Sequence, residues 1–324
     1  MIRYKYCIST YGRKVFQLQV NLSRSKMKLI VCVVLLAAVV SANESIFADD
    51  FDWSKAVPIS ETPGFWDNRD VKPIAKAVVN TRLGRIVGGT EIPPNSQPHL
   101  VFIAIQVSAT HLGTCGGTLL SLRTVMTAGH CLHNMLSVRL IFGAHLVRSA
   151  EPSQLIITEQ PRSIRLHEQY NPRTFANDIG LVIMTQTLPS NQFMQPISIP
   201  TAAEIDLLFV GENVSVYGWG FTSENSRSLS EFPKVAVNRV ISNAQCAETF
   251  GEFITPTHMC MSSEGGRGTC TGDSGGPMQT IINGRVVQIG IISFQGAESC
   301  FTGIPIAFTR ISTYGVWIRS NKVE

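Results

Sequence analysis

Residues 86–324 of this 324-residue chain predict an all-β fold, on three observations. Short apolar runs alternate with turn residues throughout that span, the pattern of strands joined by tight loops. The dipeptide Asn283-Gly284 lies between two such runs and favours the paired positive-φ residues of a type I′ hairpin. The composition, 44% apolar against 15% charged, is that of an ordered globule and far from the charge-rich mix that stays disordered.

Three segments come first. Residues 1–26 form a basic leader. Met27 makes a better start than Met1, so the leader is either an extended n-region or lies upstream of the true start. Leu29–Val40 is an unbroken apolar run between Lys28 and the small residues Ser41-Ala42. At ~1.5 Å per residue it is too short to span a bilayer. Residues 27–42 therefore predict a secretory signal peptide. A signal anchor is the competing reading, and the span length argues against it. Residues 43–85 carry no cysteine, several prolines and no sustained helical or strand period, and predict a propeptide.

The strands follow in order: Leu100–Val107, Val138–Phe142, Ile179–Met184, Val214–Tyr217, Val235–Ile241, Pro277–Ile282 and Arg285–Ser293. Thr313–Asn321 predicts a short terminal helix with Trp317 and Ile318 on its buried face. The formal charge of +4 misleads, because residues 1–28 hold seven Lys and Arg and no acid. From Ile86 onward 14 Lys and Arg face 16 Asp and Glu, so no nucleic-acid partner is expected.

Three segments carry chemistry. Gly272-Asp273-Ser274-Gly275-Gly276-Pro277 sets a serine in a glycine turn that can expose a nucleophile and aim backbone N–H groups at one point. Thr127-Ala128-Gly129-His130-Cys131 supplies a histidine, the side chain most often used as a general base. Asn177-Asp178-Ile179-Gly180-Leu181 supplies a carboxylate to orient it. Taken singly, each residue reads more simply as a turn, a core histidine or a cap. Six cysteines follow the signal peptide, Cys115, Cys131, Cys246, Cys260, Cys270 and Cys300. An even count in a secreted chain implies disulfides, with fifteen pairings open. No Cys-x-x-Cys spacing suggests zinc.

Together and in the order His, Asp, Ser, the three motifs resemble the chymotrypsin-like (trypsin-fold) serine proteases, closest in appearance to arthropod chymotrypsin-like enzymes. The resemblance covers Ile86–Glu324. It implies two packed six-stranded antiparallel β-barrels with a short C-terminal helix and the active site in the cleft between them. It implies Ser274 as nucleophile, His130 as general base, Asp178 as its orienting partner, and an oxyanion hole from the N–H groups of Gly272 and Ser274. It pairs the cysteines as Cys115–Cys131, Cys246–Cys260 and Cys270–Cys300. Arg85-Ile86-Val87-Gly88-Gly89 matches the family's activation site: cleavage after Arg85 would free the Ile86 amine to pair with Asp273 and lock the turn.

The resemblance also places the substrate pocket. Gly268 stands at its base, where an aspartate would favour Arg or Lys. Thr269 lies beside it, Ile306 narrows a wall, and Ser293, Phe294 and Gln295 form the edge that meets substrate. An uncharged, shortened pocket follows, with cleavage after Leu, Met, Ala or Val ahead of Phe, Tyr or Trp. No cofactor or metal is expected. A calcium loop of the family's kind would need a glutamate where Ala144 stands. The implied partners are protein or peptide substrates, an activating trypsin-like protease and protein protease inhibitors. Neither a stable membrane association nor an oligomer is expected. The competing class is a catalytically silent homologue that only binds, and the intact triad argues against it.

Overall fold

The computed structural model describes residues 5–8, 14–17, 52–67, 69–70, 89–222, 228–295 and 303–324. The expected signal peptide, the Arg85–Ile86 junction and Cys300 lie outside them. The chain divides into two compact units, Met1–Ala48 and Asp49–Glu324. In the first, β1 (Lys5–Ile8) and β2 (Lys14–Gln17) form an antiparallel hairpin.

The second unit is the predicted all-β fold with two barrel-like sheets. The first sheet runs from β10 (Ile164–Leu166) through β11 (Gly180–Ile183), β7 (Thr124–Thr127), β6 (Leu112–Ser121), β5 (Leu100–Gln106) and β8 (Ser137–Phe142) to β9 (Leu155–Glu159). Its interior is lined by Val101, Ile103, Leu119, Val125, Leu140 and Leu181, all buried. β3 (Ala56–Pro58) joins this sheet by pairing in parallel with Leu112–Thr114 of β6.

The second sheet orders β12 (Asn213–Gly218), β15 (Pro277–Ile282), β16 (Arg285–Gln295), β17 (Ile306–Arg310), β14 (His258–Met261) and β13 (Lys234–Ile241). β13 returns to pair with β12, closing a six-stranded barrel, and β4 (Thr90–Glu91) is added outside β13. Val216, Met259, Met278, Ile289 and Phe308 fill it. The β15–β16 turn is the expected hairpin: Ile282 pairs with Arg285, and Asn283 and Gly284 hold φ of 50° and 77°. That backbone matches the twist of the flanking strands.

The two sheets share a further apolar layer in which Phe102 of β5 meets Trp219 edge-on at 5.6 Å. Short helices complete the unit: α1 (Gly129–Leu132), α2 (Asn243–Phe250) and α3 (Gly315–Asn321). Ser242 caps α2 with the reciprocal bonds of a capping box to Gln245. α3 buries Ile318 against the first barrel, with Trp317 half-buried beside it. Beyond α3, the backbone N–H of Val323 donates to Thr124 Oγ1 at 3.0 Å, tying the C-terminus to β7.

Candidate active site

His130 is the second residue of the one-turn helix α1, which follows β7 after Ala128. Asp178 precedes β11, the strand that pairs with β7. The ladder therefore brings the two segments together although they are 48 residues apart. Asn177, at φ 55°, turns the chain before Asp178. Its amide donates to the Gln169 carbonyl at 2.8 Å, and its oxygen accepts from Tyr314 at 2.9 Å.

Asp178 is fully buried and accepts three bonds. The His130 backbone N–H donates to Oδ1 at 2.7 Å, and His130 Nδ1 meets Oδ2 at 2.8 Å. Ser293 Oγ donates to the same Oδ2 at 2.6 Å. Burial alone pushes this carboxyl up, but the His130 charge and ring bond, the Ser293 hydroxyl and the His130 N–H outweigh it and hold Asp178 below its ordinary pKa. An ionised Asp178 can only accept, so His130 carries its proton on Nδ1 and presents the Nε2 lone pair.

The Ser274 turn docks through its glycines. Gly272 and Gly275 hold φ of 102° and 80°, a region glycine enters without strain. A Cβ on Gly275 would lie 2.1 Å from Thr127 Oγ1, and one on Gly116 would lie 3.0 Å from the Gly276 backbone. The turn is thus pressed against β6 and the end of β7, beside the His130 segment. The Gly116 N–H donates to the Ser274 carbonyl at 2.7 Å. The Cys115–Cys131 disulfide joins the same two walls. Among the described residues, neither the Gly272 nor the Ser274 N–H donates to a protein acceptor.

Asp273 points inward. It accepts from the Gly220 N–H at 2.7 Å and the Cys270 N–H at 2.8 Å. Gly218 and Gly220 leave room for it: a Cβ at either would stand 2.0 or 2.6 Å from its carboxyl oxygens. Burial outweighs both N–H bonds and raises Asp273 to about 6. No cation pairs with it among the described residues.

At the expected substrate pocket, a Cβ on Gly268 would come within 2.5 Å of Ile306 Cδ1. Ile306 therefore already fills the space above Gly268. Thr269 Oγ1 donates to Gln295 Oε1 at 3.1 Å. Phe294 is buried between Phe175 and Phe250, with ring centroids 5.8 and 5.3 Å away. Cys246–Cys260 is formed as expected, and Cys270 is also disulfide-bonded. Cys115, His130 and Cys131 are close enough together to suggest a metal cluster, but the disulfide has used both thiolates. Among the described residues, no helix is long and apolar enough to cross a membrane.

Several site residues carried no readable signal: the Ser293 bond to Asp178, the glycine bed of Asp273, and Phe65 of the expected propeptide. The Phe65 ring meets His130 edge-on at 5.8 Å.

The family model described as Trypsin matches residues 86–318. A chymotrypsin of Phaedon cochleariae is 35% identical over 78% of this chain and 87% of its own length. Brachyurin of Leptuca pugilator is 34% identical over 72% of this chain and 97% of its own. Among solved structures, HL collagenase superposes with a TM-score of 0.65 at 28% identity, covering 72% of this chain and 97% of the collagenase.

Proposed function

The chain belongs to the trypsin family and is a serine endopeptidase acting on protein or peptide substrates; from that premise we propose that Ser274, His130 and Asp178 are its catalytic residues, in a secreted zymogen switched on by cleavage after Arg85. The observation that carries the assignment is the double attachment of His130 to one buried carboxylate, at 2.7 and 2.8 Å. It fixes the ring so that Nε2 is the free base.

In this reading Ser274 Oγ attacks the scissile carbonyl while His130 Nε2 takes its proton. The C=O electron pair moves onto oxygen, towards the unclaimed N–H groups of Gly272 and Ser274. The imidazolium, balanced by Asp178, then protonates the leaving amine as the C–N bond breaks. A water attacks the acyl-enzyme by the same route and frees Ser274.

Before cleavage, no described residue gives the buried Asp273 carboxylate a countercharge. A new α-amine at Ile86 would supply one and stabilise the turn that bears both oxyanion donors. Ile306 over Gly268 supports an uncharged, shallow primary pocket. Among the described residues of that pocket, a buried Arg or Lys side chain would find no carboxylate.

The test is the full-length secreted zymogen, cut after Arg85 and assayed on peptides varied at the residue before the scissile bond. Hydrolysis should arise only after the cut, vanish in Ser274→Ala, and favour Leu or Ala over Phe and Arg. Silence on every substrate with a verified Ile86 terminus and the propeptide removed would refute the triad.

A further inference from the structure

His130 is covered. Its side chain is only 1% exposed, and a general base sealed from solvent cannot meet a substrate. Part of its cover comes from residues 52–70, which lie outside the family match at 86–318.

That segment grips the catalytic face at three places. β7 pairs only with Thr118–Ser121 of β6, which leaves Leu112–Thr114 for β3 to take in parallel. A strand edge of this kind is a natural docking line for an extended peptide. Next, Ile59 enters the first barrel's core, where a Cβ on Gly113 would stand 2.5 Å from Ile59 Cδ1. Pro58 lies over the oxyanion turn, with its Cγ 3.5 Å from where a Gly272 Cβ would be.

At the second place, the Phe65 ring stands 5.8 Å from His130 and 6.3 Å from Phe175. At the third, the Arg69 guanidinium stacks on Phe65 at 3.8 Å and on Phe175 at 4.5 Å. It also donates to the Pro172 carbonyl at 2.9 Å and back to the Phe65 carbonyl. Asp70 closes the segment on Arg173, with side-chain bonds of 2.9 and 3.0 Å and a backbone bond of 2.7 Å.

We propose that residues 52–70 are a cleft-occupying inhibitor and that the face formed by the β6 edge, His130, Phe175 and Arg173 is its binding site. This rests on the catalytic roles proposed above and adds a lock separate from the Ile86–Asp273 switch. No cysteine lies between residues 43 and 85, so after cleavage at Arg85 only non-covalent contacts retain the segment. Activation then needs two events, the cut and the departure of the peptide. The first makes the contact bimolecular and so sensitive to dilution.

The full chain and its Phe65→Ala form are cut after Arg85, checked by mass for intact residues 49–70, and assayed on a small fluorogenic peptide. The native enzyme should show a lag that shortens on dilution, and Phe65→Ala should start at full rate. A synthetic peptide of residues 49–70, added to lag-free enzyme, should raise KM and leave kcat unchanged. Its Phe65→Ala form should bind about tenfold more weakly. Calorimetry with cut Ser274→Ala protein freed of its propeptide reads the same binding without catalysis. Inactive native enzyme with heat of binding would therefore count against the triad and not against this site. A native enzyme without a lag, and a peptide that neither competes nor binds at ~1 mM, would overturn the proposal.

Discussion

Asp178 shows what one carboxylate requires to stay ionised in a dry site. Its pKa falls only because three donors and the imidazole charge outweigh desolvation. Ser293 is the donor that local sequence hides. His130, Asp178 and Ser274 were legible because each sits in its own short motif. Ser293 lies in a plain strand run, 115 residues from its partner, and was expected only at the edge facing substrate. Its hydroxyl shares Oδ2 with the imidazole, so it also fixes where the ring points. Removing a bond to a charged group costs about 1.5–3 kcal/mol. In Ser293→Ala, kcat should fall about 10- to 100-fold with KM nearly unchanged, read by steady-state kinetics. A loss confined to KM would mean that Ser293 serves substrate binding alone.

At the scale of elements, the seven strands named in advance were readable because each carries an apolar run, and their observed ends differ from expectation by only one or two residues; β6, β7, β9, β10, β14 and β17 were not named. β3 was not readable. Three residues have no period, and Ala56–Pro58 is a strand only because β6 offers an unpaired edge. The substrate pocket shows the same division. Gly268 and Ile306 could be named from motif position, but the depth of the pocket depends on the pairing of β17. Ile306 opens that strand opposite Gln295 of β16 and Met261 of β14. This register aims its side chain at Gly268, with Cδ1 2.5 Å from where a Cβ would stand. Ile306→Gly should therefore lengthen the pocket. The kcat/KM ratio of Phe to Leu substrates should rise about tenfold or more, within the ~1–3 kcal/mol that apolar pockets discriminate. An unchanged ratio across a peptide panel would show that another wall sets the depth.

On the scale of the whole molecule, two barrel-like sheets followed from the family resemblance, but the extent of the folded unit did not. The unit begins at Asp49, so part of the expected propeptide packs as domain structure. The uncut chain also stores an electrostatic cost at Asp273. Burial raises this carboxyl from 3.8 to about 6 in the folded state. The folded chain therefore holds a proton that the unfolded chain has already released between those two values. The resulting stability is full below about 4 and is lost as pH rises through about 6. At about 1.4 kcal/mol per pH unit, the effect is a few kcal/mol at most. Urea unfolding of the uncut chain and its Asp273→Asn form isolates it, because the other carboxylates cancel in the difference. The native chain should lose ground to the variant from pH 4 to 7. Cleavage after Arg85 should reverse the sign. A paired ammonium would lower Asp273 below its unfolded value, so the native enzyme would hold an advantage over the variant that builds as pH rises to about 4 and stays level above it. It would lose that gain only as the amine deprotonates at strongly alkaline pH, where activity should fall too. The same pH trend before and after the cut would mean that Ile86 does not pair with Asp273, and the switch would have to lie elsewhere.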